Sequence, residues 1–95
     1  MIIIAGTLHF APADRDRYVA AVHDIARLAR AAPGCLDFVQ AADPLDAGRI
    51  NIYERWESDA DVEKFRESGD APAVPMPQLL SAEVSKYRIS AVEAP

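Results

Sequence analysis

Arg49-Ile50-Asn51-Ile52-Tyr53-Glu54-Arg55-Trp56-Glu57 alternates side chains with a period of two, the mark of a strand that turns one face to a core. Ile50, Ile52, Glu54 and Trp56 share one side of it, and Asn51, Tyr53 and Arg55 share the other. Before it, Asp43-Pro44-Leu45-Asp46-Ala47-Gly48 is a turn by composition. The segment Cys35 to Ala42 reads as a weaker strand. So short a connection implies an antiparallel hairpin between the two.

Upstream, Ile2 to Phe10 reads as a β-branched and aromatic strand ended by Ala11-Pro12. A helix is expected from about Ala13 to Ala32. Its apolar stripe is Tyr18, Val22, Ile25, Ala29 and Ala32, and Pro33-Gly34 stops it. Downstream, Ser58 is placed as the N-cap of a second helix reaching about Ser68, with Asp59 and Asp61 in its first turn. The stretch from Gly69 to Pro77 holds Pro72, Pro75 and Pro77, so regular structure is not expected there, and a mobile lid is. Gln78-Leu79-Leu80 is expected to add one helical turn, and Ala82 to Val92 a last strand.

The order β-α-β-β-α-β is that of the ferredoxin-like α+β fold, with one four-stranded antiparallel sheet. Two helices cover only one face of such a sheet. Yet the first strand begins apolar on both sides, with Ile3 and Ala5 opposite Ile2 and Ile4, and Tyr53 stands opposite the Ile and Trp side of its own strand. An antiparallel sheet with a solvated face is normally polar on that face. Homodimerisation through the second face is the expected cover.

The totals bound the function. The chain of 95 residues is the size of one domain, read here as spanning residues 1–95. A net charge of −5, with Arg15, Arg17, Arg27 and Arg30 interleaved among acids and alanines, argues against nucleic-acid and membrane partners. Cys35 is the only cysteine and cannot form an internal disulfide. Met1–Ala5 is too short for a signal peptide or a membrane span, so a cytoplasmic location is expected.

Isolated glycines make no phosphate or dinucleotide loop, and no serine stands in a nucleophile elbow. His9 on a strand and His23 on a helix make no metal site. Chemistry would have to use a pocket between sheet and helices. There Trp56 is either an aromatic wall for a ligand or a core residue sealing the sheet. Glu54 is either a general base or an acid paired with a cation. His9, a candidate proton acceptor, shares a strand face with Thr7, a hydrogen-bond donor; the alternative for His9 is a solvated or hydrogen-bonded surface residue.

Pro33-Gly34-Cys35-Leu36, the later run Tyr53-Glu54-Arg55-Trp56-Glu57-Ser58, and the acidic helix after it resemble the antibiotic biosynthesis monooxygenase family over about the first 68 residues. The resemblance implies a dimeric α+β barrel, a homodimer in which two sheets pack face to face. It also implies oxidation of an electron-rich aromatic small molecule (a phenol, hydroquinone or anthrone-like compound) by molecular oxygen, with no flavin or metal cofactor. A non-catalytic barrel that binds a small apolar ligand or partner is the alternative. Trp56 matches a cavity-lining tryptophan of quinone-forming members. Those enzymes place an asparagine where this chain has Ile52 and a tyrosine where it has Val62. Many members carry histidines at the positions of Phe65 and Asp70, and heme-degrading relatives carry an asparagine at that of Thr7. The expected catalytic residues are Trp56, Glu54 and His9, and the expected substrate contacts are Thr7, Ile52 and Phe65.

Overall fold

A computed structural model describes residues 1–68 and 77–95. Its elements are β1 (Ile2–His9), α1 (Pro12–Ala31), β2 (Cys35–Ala42), β3 (Arg49–Trp56), α2 (Asp59–Glu67) and β4 (Ser81–Arg88). The sheet order is β2-β3-β1-β4, with every neighbouring pair antiparallel. This is the ferredoxin-like β-α-β-β-α-β arrangement read from the sequence, and β3 and β1 are its two central strands. The extents of 37 × 34 × 18 Å are those of two layers, one sheet and one layer of helices.

Local chemistry sets the element ends. α1 starts one residue earlier than expected, because Pro12 at the first helical position has the φ a helix needs and no N–H to lose. At its other end Ala32-Pro33-Gly34-Cys35 closes with the Cys35 N–H donating to the Ala32 carbonyl at 3.2 Å. Gly34 sits at φ +82°, a conformation that favours glycine. A Cβ there would fall 2.2 Å from the Asp61 carboxyl carbon, so this turn also fixes how closely α2 approaches. Ser58 caps α2 as expected, its Oγ accepting from the Asp61 N–H at 3.2 Å.

β1 runs Ile2, Ile4 and Leu8 into the core, and β3 sends Ile50, Ile52, Glu54 and Trp56 to the same side. The helices cover that side through Tyr18, Val22 and Ala29 of α1 and Val62 of α2. The opposite side carries Ile3, Ala5, Thr7 and His9 of β1 beside Asn51, Tyr53 and Arg55 of β3, and no described element covers it. Gly6 belongs where β1 meets β4, since a Cβ there would lie 1.9 Å from the Glu83 carbonyl oxygen.

The C-terminal part differs from the sequence reading. Pro77–Leu80 forms no helical turn; it leads straight into β4, with the Leu80 N–H donating to the His9 carbonyl at 2.8 Å. β4 ends at Arg88 rather than Val92, because the ladder runs out where Arg88 faces Ile2 at the start of β1. The expected lid from Gly69 to Pro77 lies, apart from Pro77, outside the described residues, as does Asp70.

The two edge strands are protected differently. On β2 the Phe38 N–H donates to Asp37 Oδ1 at 2.8 Å, and the Phe38 carbonyl accepts from Arg30 Nε at 2.8 Å. That occupies the edge where another strand would pair. β4 is exposed along its whole length. It is tied back by Asp59 at the start of α2, which accepts from Lys86 Nζ at 2.6 Å and Arg88 Nη1 at 2.9 Å.

The Lys86 bond, followed by that of Arg88, holds the Asp59 carboxyl down at about 2. A depressed carboxyl contributes stability above its unfolded value, and that contribution fades as pH falls through the native value. Asp59→Asn is therefore expected to speed amide exchange in β4 at neutral pH. It should also flatten the loss of β4 protection between about pH 4 and pH 2; hydrogen exchange followed across that range checks both.

Candidate functional site

β3 places Glu54 and Trp56 two residues apart, so both side chains leave the same face of the sheet. Trp56 has no exposed surface and Glu54 retains 8%. Around the indole lie Ile2, Ile4, Ala29, Phe38 and Val62, and the Phe65 ring of α2 stands 5.7 Å away, tilted by 35°. Burying a ring system of this size is worth roughly 4–6 kcal/mol of transfer free energy. Trp56 is thus a keystone of the core, and Phe65 rather than Trp56 faces outward.

The indole N–H needs an acceptor once buried, and Trp56 Nε1 donates to Glu54 Oε1 at 3.1 Å. One hydrogen bond to a charged acceptor contributes about 1.5–3 kcal/mol, less than the several kcal/mol needed to desolvate a carboxylate. Burial accordingly pushes the Glu54 carboxyl above its ordinary value, with the Trp56 bond and the Arg66 charge opposing it. A carboxylate so placed is a stronger base than one in water, and it takes a proton readily from an acidic neighbour.

The six residues expected to form a site fall into two groups. Glu54, Trp56 and Ile52 lie on the helix-covered face, with Phe65 above Trp56. Thr7 and His9 lie on the opposite face of the sheet and do not enter a pocket with Glu54. Both alternate with the core residues Leu8 and Phe10, and this alternation sets their direction. His9 Nε2 stands 3.5 Å from Asp46 Oδ2 in the β2–β3 turn. Asn51 also faces away, donating to Asp43 Oδ1 at 2.9 Å and accepting from Arg49 Nε at 2.7 Å.

Two hollows adjoin the buried pair on the helix side. One, of about 300 Å³, lies between the end of α1 and α2, with Leu28, Ala32 and Phe65 as apolar lining and Lys64 and Asp61 at its rim. The other, of about 280 Å³, lies between α2 and the β1–β4 pair, over Ile4, Val62 and Val84. Among its charged residues is Arg66, which sequence reading passed over as part of an ordinary charged helix surface. Cys35 is half-buried against the core, and burial raises its thiol further from ionisation. Among the described residues no cluster of three or more His, Cys, Asp or Glu could hold a metal ion. Nor, among the described residues, is any helix long and apolar enough to cross a membrane.

The family model for antibiotic biosynthesis monooxygenase matches residues 1–74. The chain belongs to the antibiotic biosynthesis monooxygenase family. Among solved structures it is similar to a candidate monooxygenase of this family from Deinococcus radiodurans, with TM-score 0.79, 19% identity, and 99% of this chain and 97% of that one covered. A second candidate member, from Chloroflexus aurantiacus, shares 26% identity with TM-score 0.75 over 98% of this chain and 96% of that one. The fold is also that of the heme-degrader MhuD from Mycobacterium tuberculosis, whose structure holds two hemes in its active site. TM-score is 0.67 and identity 13%, with 99% of this chain and 100% of that one covered. Among curated proteins none matches the chain. Membership in the antibiotic biosynthesis monooxygenase family supports a general monooxygenase or small-molecule-binding role for this member.

A buried acid with a raised native pKa detracts from stability once it ionises: its stabilising contribution is complete below the unfolded value near 4.5 and is lost as pH rises through the native one. Glu54→Gln keeps an acceptor for the Trp56 indole and removes the charge. Its urea midpoint is expected to equal or exceed that of the unaltered protein at pH 7, with the difference vanishing near pH 4. A midpoint lowered at pH 7 would show that the charge stabilises the fold.

Proposed function

We propose that this family member is a homodimeric, cofactor-independent monooxygenase acting on an electron-rich aromatic small molecule of the phenol, hydroquinone or anthrone type. The observation that carries the reading is the buried Glu54 carboxylate held by the Trp56 indole. It is a base placed against an apolar core at the expense of stability, in a chain whose family is named for oxygen chemistry. Glu54 is the proton acceptor, Trp56 fixes its orientation, and Ile52 and Phe65 supply apolar walls.

The reaction balances without a further reductant. An anthrone-type methylene loses a proton to the carboxylate and becomes an electron-rich anion, which passes electrons to molecular oxygen. One oxygen atom becomes the new carbonyl. The other leaves as water with the two hydrogens of the methylene. The apolar surroundings keep water from the anion, and the protein supplies placement and one proton transfer.

A second reading, a non-catalytic barrel that binds a small apolar ligand, draws on one observation: Trp56 has no exposed surface, and Glu54 lines neither hollow beside it. Oxygen uptake without added cofactor separates the two. With an anthrone, a hydroquinone and a naphthol as substrates, the unaltered protein is expected to consume oxygen. Glu54→Gln is expected to lower kcat by about 10²- to 10⁴-fold. Trp56→Phe should lower it too while removing about 2 kcal/mol of stability. Binding of these phenols without oxygen uptake would favour the second reading.

The dimer is the remaining part of the proposal. Ile3, Ala5 and Tyr53 are only half-covered on the helix-free face, Tyr87 of β4 is 55% exposed, and Nε of Arg55 is buried without a hydrogen-bond partner. A second copy against this face would bury these residues together, bringing Thr7 and His9 to the subunit contact. Sedimentation equilibrium is expected to give twice the chain mass, and Tyr53→Glu the mass of one chain. A monomer at tens of micromolar without any substitution would contradict it.

A further inference from the structure

We propose that the cleft between α2 and the β1–β4 pair binds aromatic ligands bearing an ionised oxygen, and that the Arg66 guanidinium is the group that receives this oxygen. The inference rests on the aromatic-oxidation reading and narrows it to a ligand class. In that reading the oxygen-reactive form is the anion, so a cation beside the ligand selects the form that reacts.

Three features of the cleft carry it. Its floor is apolar, made by Ile4, Val62 and Val84, and its volume of about 280 Å³ suits a molecule of one or two rings. The floor also adjoins the buried pair. Ile4 stands directly opposite Glu54 in the β1–β3 ladder, and Val62 packs in the same cluster as Trp56. The third feature is charge. Asp59 is shared by Lys86 and Arg88, so one carboxylate answers two cations.

The lining itself sets Asp59 and Glu63 against Lys86 and Arg66, and Arg88, outside the lining, adds a third cation through its share of Asp59. Arg66 makes no hydrogen bond or ion pair with a described side chain, yet lies near enough for its charge to act on Glu54. A guanidinium with no partner among the described residues, at an apolar cleft, offers planar, forked donors for a phenolate or carboxylate.

The groove on the other side of Glu54 lacks this combination. It is lined by Phe38, which pairs with Glu54 across the β2–β3 ladder, and by Arg27 and Arg30 of α1. Both of those cations are engaged. Arg30 donates to the Phe38 carbonyl at 2.8 Å, and Arg27 stands 3.8 Å from Asp24.

Calorimetric titration with two oxidation-resistant probes, 2-naphthoate and the neutral 2-naphthamide, tests the proposal on the full chain. Naphthoate is expected to bind at least about tenfold more tightly than naphthamide, as one charge-assisted hydrogen bond would give. Arg66→Gln should abolish that preference, Arg66→Lys should keep part of it, and Arg27→Gln, an equal change of charge on α1, should leave it intact.

Equal affinities, a preference that survives Arg66→Gln, or no binding of either probe would overturn the assignment. Oxygen uptake with a naphthol, measured on the same preparation, separates this from the reading beneath it. Uptake without a charge preference removes the role of Arg66 and leaves the oxidation. A charge preference lost in Arg66→Gln without uptake leaves the anion site and removes the oxidation.

Discussion

The hydrogen bond from the Trp56 indole to the Glu54 carboxylate, at 3.1 Å within the core, ties together what would otherwise be a contradiction. A strand with a core-facing side should be apolar there, and β3 is so at Ile50, Ile52 and Trp56 but not at Glu54. Among the described residues the largest buried side chain has one polar atom, and the one buried acid has lone pairs to offer it. Each makes the other tolerable. The bond does not offset the whole cost of desolvating the carboxylate, and the surplus is stored as a raised affinity of Glu54 for a proton.

From that pair outward the architecture follows. Two helices are needed to cover the Trp56 side, and the Pro33-Gly34 turn sets α1 against α2 by leaving room for the Asp61 carboxyl where any side chain would intrude. With both described helices on one face, the other keeps Ile3 and Tyr53 half-covered and Tyr87 exposed. β4 is left as a strand held by backbone pairing with β1 and by the Asp59 clamp. The buried pair belongs to the side that the described helices cover, and the open face to the side they leave.

Much of this was legible in the sequence, because it depends on local patterns. The alternation from Arg49 to Glu57, the Ser58 cap and the Pro-Gly stop each act within a few residues. The end of β4 was not legible: Ile89 to Val92 is as apolar as a strand, yet β4 ends at Arg88, opposite Ile2 at the start of β1, with one further bond from the Ile89 N–H to the Met1 carbonyl. The site was less legible than the fold. Alternation gives the face on which a side chain leaves but not its depth, so it could not show that Phe65 shields Trp56. The same alternation put Thr7 and His9 on the other face from Glu54, yet a pocket made of all three fails only once the helices are seen on one side. Arg66 was hidden in an alternating run of charges, and its significance comes from Ile4 and Val84, distant in sequence and adjacent in space.

The central claim is that Glu54 is a buried base bonded to Trp56, and the single tryptophan allows it to be read directly. The indole N–H resonance of Trp56 should titrate with Glu54, moving downfield as the carboxylate ionises with a midpoint above 4.5, and this movement should vanish in Glu54→Gln. An indole resonance that does not move with pH, or one whose midpoint lies at or below that of an exposed glutamate, would contradict the account.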